Sequence, residues 1–342
     1  MQGDDSRERK SAVACRQNRK VWVEMRLNRI ARRARLLICL AAAVLCCSAR
    51  AADTDADRVL ASVSPGAPVG AGRATDLFDA GQRALADKNY ATALRWLRDA
   101  AERGYPQAQS ALGGMYLAGV GVAADDAEAL KWYRKAAEQG NVEAQTTLGL
   151  MYAQGRGVAM NDEAAVKWLR LAAEQGAAVA QSNLGVMYLE GRGVDRKDAE
   201  AANWIRMAAL QGEPLAQCNL GLLFRDARGV EQDVVEAAYW FTKSAEQEYA
   251  EAQASLGLMY AEGRGVPKDD AVAAQWWRRG AEQGNALAQY YLGVSLAAGS
   301  GVAGPDPEQA LKWLTSSARQ GLALARDYLW ANGNISVEPA DR

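Results

Sequence analysis

The chain repeats itself every 36 residues, and this period constrains its fold more than any other feature. Leu-Gly and Gly-Val pairs recur in step with Ala-Gln pairs. The Ala-Gln pairs begin at Ala108, Ala144, Ala180, Ala216, Ala252 and Ala288. A repeat of this length is one small structural unit that cannot bury its apolar face alone, so neighbouring copies must stack to share a continuous core.

Each unit divides into two short helices. In the second copy, the first helix places Ala144, Leu148 and Met151 on one face, and the second helix does the same with Ala165, Trp168 and Leu169. Gly155-Arg156-Gly157 separates them, because glycine takes the left-handed conformation that ends a helix. The sequence therefore predicts an all-α fold, a superhelical solenoid of stacked antiparallel helix pairs.

Several recurrent residues have structural roles in this prediction. Asp or Asn caps the start of the second helix at Asp125, Asn161, Asp233 and Asp269. One tryptophan per unit, such as Trp168, supplies the large buried area that the many alanines cannot. Glycine closes the second helix in most copies, so Glu248, which replaces it in the fourth, is expected to require a different turn.

The second copy reads VEAQTTLGLMYAQGRGVAMNDEAAVKWLRLAAEQG, and this pattern resembles the Sel1-like repeat family, relatives of the tetratricopeptide repeats. Six repeats cover 105–321, a degenerate pair covers 75–104 and a closing helix covers 322–332, giving a solenoid over 74–332 and a tail over 333–342. The resemblance implies a superhelix whose concave groove binds protein partners. In some secreted relatives a disulfide bond between two cysteines stabilises each repeat, whereas the repeats of this chain lack such a cysteine pair and are expected to be stabilised by packing alone.

The N-terminal segment is typical of a secretory signal peptide. Five arginines between 26 and 35 precede an apolar stretch at 36–47, and Ala49-Arg50-Ala51 fits a cleavage site that leaves Ala52 first. We expect translation to start at Met25, residues 1–51 to be an N-terminal extension and signal peptide, and the protein to be periplasmic or secreted. An uncleaved membrane anchor is the alternative, although the apolar run is short for a span. Residues 52–73 have the composition of a flexible linker.

Composition excludes several function classes. Residues 1–51 hold 12 of the 40 Lys and Arg and 4 of the 41 Asp and Glu, so the remainder has 28 basic and 37 acidic residues, a net charge of −9. This balance argues against nucleic-acid binding, which needs a basic surface.

The chain has no histidine, the commonest general base and metal ligand. We therefore expect no catalytic residue, no metal and no cofactor. Cys218, the one cysteine after residue 51, is expected to be an apolar filler rather than a reactive thiol.

Candidate binding residues follow from the resemblance, which implies that the first helix of each pair lines the groove. Specificity is then set by positions that vary between copies. These are Thr147, Asn183, Asn219, Gln154, Glu190, Asp226, Glu262, Tyr290 and Tyr291. The adjacent tyrosines suit a binding hot spot, and their alternative role is packing between units. The loop arginines at 156, 192, 228 and 264 either bind acidic groups or cap the helices that they follow.

The sequence thus predicts an exported scaffold or adaptor that binds a protein or peptide partner in its groove, acts as a monomer and is not an enzyme. The alternative is a modulator of a cell-envelope enzyme or a factor that binds cell-wall glycan. A β-lactamase-like hydrolase is the remotest alternative.

Overall fold

The computed structural model describes residues 73–333, which divide after Asn161 into two compact units. The predicted signal peptide, nearly all of the predicted linker and most of the predicted tail lie outside the described residues.

The first unit contains five helices: α1 (Ala74–Ala86), α2 (Tyr90–Glu102), α3 (Pro106–Ala118), α4 (Asp126–Glu138) and α5 (Val142–Gln154). The second unit contains ten: α6 (Asp162–Glu174), α7 (Ala178–Glu190), α8 (Asp198–Leu210), α9 (Pro214–Asp226), α10 (Val234–Glu246), α11 (Ala250–Glu262), α12 (Asp270–Glu282), α13 (Ala286–Ala298), α14 (Pro307–Arg319) and α15 (Ala323–Ala331).

Consecutive helices pack against one another within each unit. In the second unit the closest pairs are α7 with α8, α9 with α10, α11 with α12 and α13 with α14, and each pair also contacts the next. Between residues 73 and 333 the structure is entirely helical, so the predicted all-α fold of packed helix pairs is confirmed. No helix in this range is both long enough and apolar enough to span a membrane.

The Leu-Gly pair of each first helix explains how the two helices of a pair approach. At Gly221 an added Cβ would lie 2.9 Å from the Phe241 ring, and at Gly185 it would lie 2.5 Å from Ile205. The missing side chain therefore makes room for a large residue of the second helix. The leucine before each glycine, such as Leu184 or Leu220, is fully buried beside it.

The prediction that the recurrent tryptophans fill the core needs correction. Trp132 is 9% exposed, but Trp168, Trp204 and Trp240 are only half-buried. The residue after the tryptophan occupies the core instead, as Ile205 and Phe241 do. The tryptophans lie at the edge of the core, where basic side chains such as Lys167 over Trp168 cover their rings.

The expectation of a different turn at Glu248 is also wrong. Glu248 adopts the left-handed conformation with φ of 63°, as glycine does in the other copies. Its N–H donates to Ala245 O at 3.0 Å, matching the bond from Gly212 to Ala209 at 3.0 Å. The turn is therefore conserved in geometry, at a cost of about 1–2 kcal/mol for a left-handed residue with a side chain.

Candidate partner-binding face

Buried glutamines fix each first helix between two second helices. Gln217 of α9 donates from Nε2 to Ala209 O of α8 at 3.2 Å. Its Oε1 accepts from Gln247 Nε2, at the end of α10, at 2.8 Å. The same amide contacts join Gln181 to Gln211, Gln253 to Gln283 and Gln289 to Gln320. The glutamine of the Ala-Gln pair therefore sets the position of the helix that carries the candidate binding residues.

The loop arginines bind carboxylates of the chain itself. Arg192 makes two bonds to Asp162, from Nη2 at 2.5 Å and from Nε at 3.1 Å, and so docks its loop on the start of α6. Arg228 binds Asp198 in the same way. In the first unit the equivalent pair is Arg156 with Asp126. We call these pairs the arginine ladder, and each joins residues 30 positions apart.

The ion pairs of the ladder shift the pKa values of their own aspartate and arginine side chains. The pKa of Asp198 is lowered well below its usual range, first by hydrogen bonding to Arg196 and also by Arg228. The raised pKa of Arg192 has the matching cause, a hydrogen bond to Asp162. Both shifts favour the ionised pair.

Two steps of the ladder are broken. Arg264 has Val234 where an aspartate would stand 30 residues earlier, and it lies 3.5 Å from Glu262 instead. Asp270 has Ser300 where an arginine would stand 30 residues later. Ser300 Oγ donates to Asp270 Oδ2 at 2.9 Å, but its side chain is too short to fill the space of a guanidinium.

The first helices of the second unit each turn one side toward solvent. Residues spaced four, three and four apart share this side. We call the resulting surface the A face. It consists of Val179, Asn183, Val186 and Glu190 on α7, Leu215, Asn219, Leu222 and Asp226 on α9, Glu251, Leu258 and Glu262 on α11, and Tyr291, Val294 and Ala298 on α13, all of them exposed or half-buried.

Five of the predicted binding residues lie together on the A face as a polar and an acidic row. Asn183 and Asn219 are half-buried, and Glu190, Asp226 and Glu262 are exposed. Arginines lie beside all three carboxylates: Arg192 is 3.7 Å from Glu190, Arg225 is 2.7 Å from Asp226 and Arg264 is 3.5 Å from Glu262. The acidic row is therefore partly neutralised by the chain itself.

Thr147 and Gln154 belong to the first unit and are placed differently. Thr147 is 5% exposed, so it does not present its side chain to a partner and is removed from the predicted set. Gln154 is half-buried at the end of α5, and its Nε2 has no hydrogen-bond partner within residues 73–333. Thr147 is buried because it faces the preceding helix, α4, where its side chain hydrogen-bonds to Tyr133.

The two adjacent tyrosines pack within the chain. Tyr291 stacks on Trp277, with ring centroids 5.1 Å apart and planes inclined by 20°. Tyr290 meets Tyr328 of the closing helix edge-on at 6.4 Å. Burial raises the pKa of both phenols. Their half-buried rings still reach the surface, so packing and binding are both compatible with this arrangement.

An apolar row that was not among the predicted binding residues runs through the A face. Val186, Leu222, Leu258 and Val294 recur at intervals of 36 residues and are all half-buried. Their recurrence is visible in the sequence, but buried core residues recur with the same period, so the pattern does not distinguish a surface row from the core. Exposed apolar side chains also occur on second helices, with Met207 at 47% and Leu210 at 71%.

The described residues include one cysteine and many acidic side chains, which bear on nucleophilic and metal chemistry. Burial raises the pKa of the Cys218 thiol, so the thiolate nucleophile is disfavoured, as expected for a filler. Across 73–333, no group of three or more His, Cys, Asp or Glu side chains is arranged to hold a metal ion. The A face can offer apolar contact, amide hydrogen bonds and carboxylates.

Comparisons with known proteins agree with the repeat. The family model of the Sel1 repeat matches seven segments, at 74–105, 106–141, 142–176, 178–213, 214–249, 250–285 and 286–322. The first match shows that the leading helix pair, set apart above as degenerate, also fits the family pattern. No curated protein matches the chain.

Two solved structures are similar to most of the chain. A protective antigen of uropathogenic Escherichia coli displaying an SLR fold is 36% identical, with a TM-score of 0.67, over 81% of this chain and 59% of its own. A Sel1 repeat protein from Oxalobacter formigenes is 35% identical, with a TM-score of 0.66, over 71% of this chain and 96% of its own. The chain thus spans less than two thirds of the first structure and nearly all of the second.

Proposed function

The chain belongs to the Sel1 repeat family, and from that premise we propose that it is a non-catalytic scaffold that binds a protein or peptide partner on the A face. Sel1 repeat proteins generally mediate protein–protein interactions. The repeat itself supplies many equivalent positions along one side of the second unit, which suits an extended or helical segment of a partner.

One observation carries the proposal: a half-buried apolar row runs through the A face, at Val186, Leu222, Leu258 and Val294. An amide and a carboxylate flank the row at Val186 and at Leu222. Apolar contact supplies most of the binding free energy of such a surface, since burial contributes about 25 cal/mol per Å². Polar groups at its margin, such as Asn183 and Glu190, supply orientation and specificity. A surface of this composition favours a protein partner over a glycan, which would need exposed aromatic platforms.

We also propose that the protein is exported and meets its partner in the periplasm or outside the cell. The support is the basic, apolar and small-residue order of 26–51 in the sequence. A partner in the same compartment follows from this proposal.

The proposal is tested by capturing partners from a cell-envelope extract with the full chain and two matched double variants. Val179→Arg with Asn183→Arg adds charge and bulk to the A face at residues that reach solvent. Met207→Arg with Leu210→Arg makes the same kind of change at exposed residues of α8. Circular dichroism checks that both variants remain helical.

We expect the A-face variant to lose the captured partner and the α8 variant to retain it. Loss with the α8 variant alone would move the binding surface to the second helices and contradict the proposal. The mass of the purified protein tests export in the same preparation, because cleavage of the signal peptide is expected to leave Ala52 as the first residue.

A further inference from the structure

The broken ladder step at Asp270 leaves a cavity where the other copies hold a guanidinium. A cavity of about 150 Å³ lies among Asp270, Trp277, Tyr291, Val294, Ala298 and Ser300 in the second unit. Asp270 and Ser300 are 30 residues apart, the same separation as Asp162 and Arg192. The cavity therefore borders the aspartate that, at this step, has serine in place of its arginine.

We propose that this cavity binds an arginine side chain of the partner. In three other copies the equivalent aspartates, Asp126, Asp162 and Asp198, each accept two bonds from one guanidinium. The backbone that presents Asp270 is also the same, because Gly301 packs on Asp270 O as Gly193 packs on Asp162 O. The geometry that holds arginine within the chain is thus retained where the arginine is missing.

The walls of the cavity suit the rest of an arginine side chain. Trp277 and Tyr291, whose rings stack on each other, both line the cavity, and aromatic side chains are favourable contacts for a guanidinium. Val294 and Ala298 offer apolar contact to the methylene groups. Asp270 supplies the opposite charge, and its side chain is 42% exposed, compared with 36%, 24% and 23% for the aspartates of the three intact pairs.

The carboxylate of Asp270 is accessible despite two internal neighbours. Ser300 Oγ bonds to Oδ2, and Lys268 Nζ is 4.0 Å from Oδ1, at the limit of an ion pair. Lys268 is 65% exposed, so its ammonium is well hydrated and is readily displaced. A bidentate guanidinium makes a stronger contact with a carboxylate than a single distant ammonium does.

This inference rests on the proposed function, because it names the chemistry of the partner at one end of the A face, where Tyr291 borders both surfaces. The partner is then a protein segment with an arginine that reaches the cavity.

The test uses N-acetyl-L-arginine amide as the probe and N-acetyl-L-citrulline amide as its uncharged control of nearly equal shape. Binding to the full chain is followed through the NMR signal of the indole N–H of Trp277, which lines the cavity and donates this N–H to Ala254 O. A Trp277→Phe variant assigns that signal. We expect a saturable shift with the arginine derivative and none with the citrulline derivative.

Two variants separate the site from general effects. Asp270→Asn removes the charge, and Ser300→Arg restores the ladder and fills the cavity with the chain's own guanidinium. Each is expected to weaken the arginine derivative by about tenfold or more, the size of a lost charged hydrogen bond. Ser300→Arg should also fold with at least the thermal stability of the parent chain.

Equal shifts with citrulline, unchanged binding in Ser300→Arg or no saturable shift would each overturn the inference. The proposed function is judged separately by the capture experiment on Val179 and Asn183. A partner captured through the A face without arginine binding would leave the function standing and remove this site.

Discussion

At the residue scale, the arginine ladder shows which loop arginines stabilise the fold through an ion pair with an aspartate and which lack that aspartate. Arg192 and Arg264 occupy the same register, and each has a glutamate two residues earlier at 3.5 to 3.7 Å. Arg192 also binds Asp162, whereas Val234 stands at the equivalent place for Arg264. The pair with Asp162 is therefore the difference between two otherwise matched residues.

We expect Arg192→Ala to lower the free energy of unfolding of the second unit by about 1 kcal/mol, because a bidentate, partly buried ion pair is lost. Arg264→Ala should change it by less than about 0.5 kcal/mol, since its contact with Glu262 is largely exposed. Urea denaturation of both variants measures the difference. Equal losses would show that the ladder does not stabilise the junction between helix pairs.

At the element scale, buried amides determine how one helix pair meets the next. Gln217 is 5% exposed and links α9 both to Ala209 at the end of α8 and to Gln247 after α10. Loss of this amide removes one hydrogen bond from each of two helix ends, and such a bond contributes about 0.5–1.5 kcal/mol. The helix that carries Asn219 and Leu222 is positioned by these bonds.

Gln217→Leu is expected to destabilise the second unit by about 1–3 kcal/mol, although leucine is similar in size and more apolar, because two buried hydrogen bonds are lost, one to the Ala209 carbonyl and one from Gln247. Gln275→Leu on α12 is the matched control at an exposed glutamine and should be nearly neutral. Thermal unfolding of the two variants compares them. A stabilised Gln217→Leu chain would mean that apolar packing outweighs the amide contacts.

At the scale of the whole molecule, the 36-residue period was sufficient to predict the helices, their pairing and the turn residues. The period could not decide which recurrent positions are buried, because the positions of Trp240 and Phe241 both hold large apolar residues in each copy. Only the space left by Gly221 places Phe241 inside. The partners of Tyr290 and Tyr291 lie in other helices, so their packing was not readable from their own positions.

The ladder was visible in the sequence as Asp and Arg spaced by 30 residues, and so were its interruptions at Val234 and Ser300. The role of these Asp–Arg pairs could not be predicted from the spacing, because only the structure shows that each pair joins a loop to the preceding second helix. The apolar row of the A face needed it too, since Val186 and Leu222 have the periodicity of core residues and differ from them only in exposure.

The central claim is that a protein partner binds the A face, and hydrogen–deuterium exchange on the isolated complex tests it most directly. We predict slower exchange in α7, α9 and α11 when the partner is bound, with peptides of the second helices α8 and α10 unchanged as the internal control. Slower exchange confined to α8 and α10, with α7, α9 and α11 unchanged, would contradict the account.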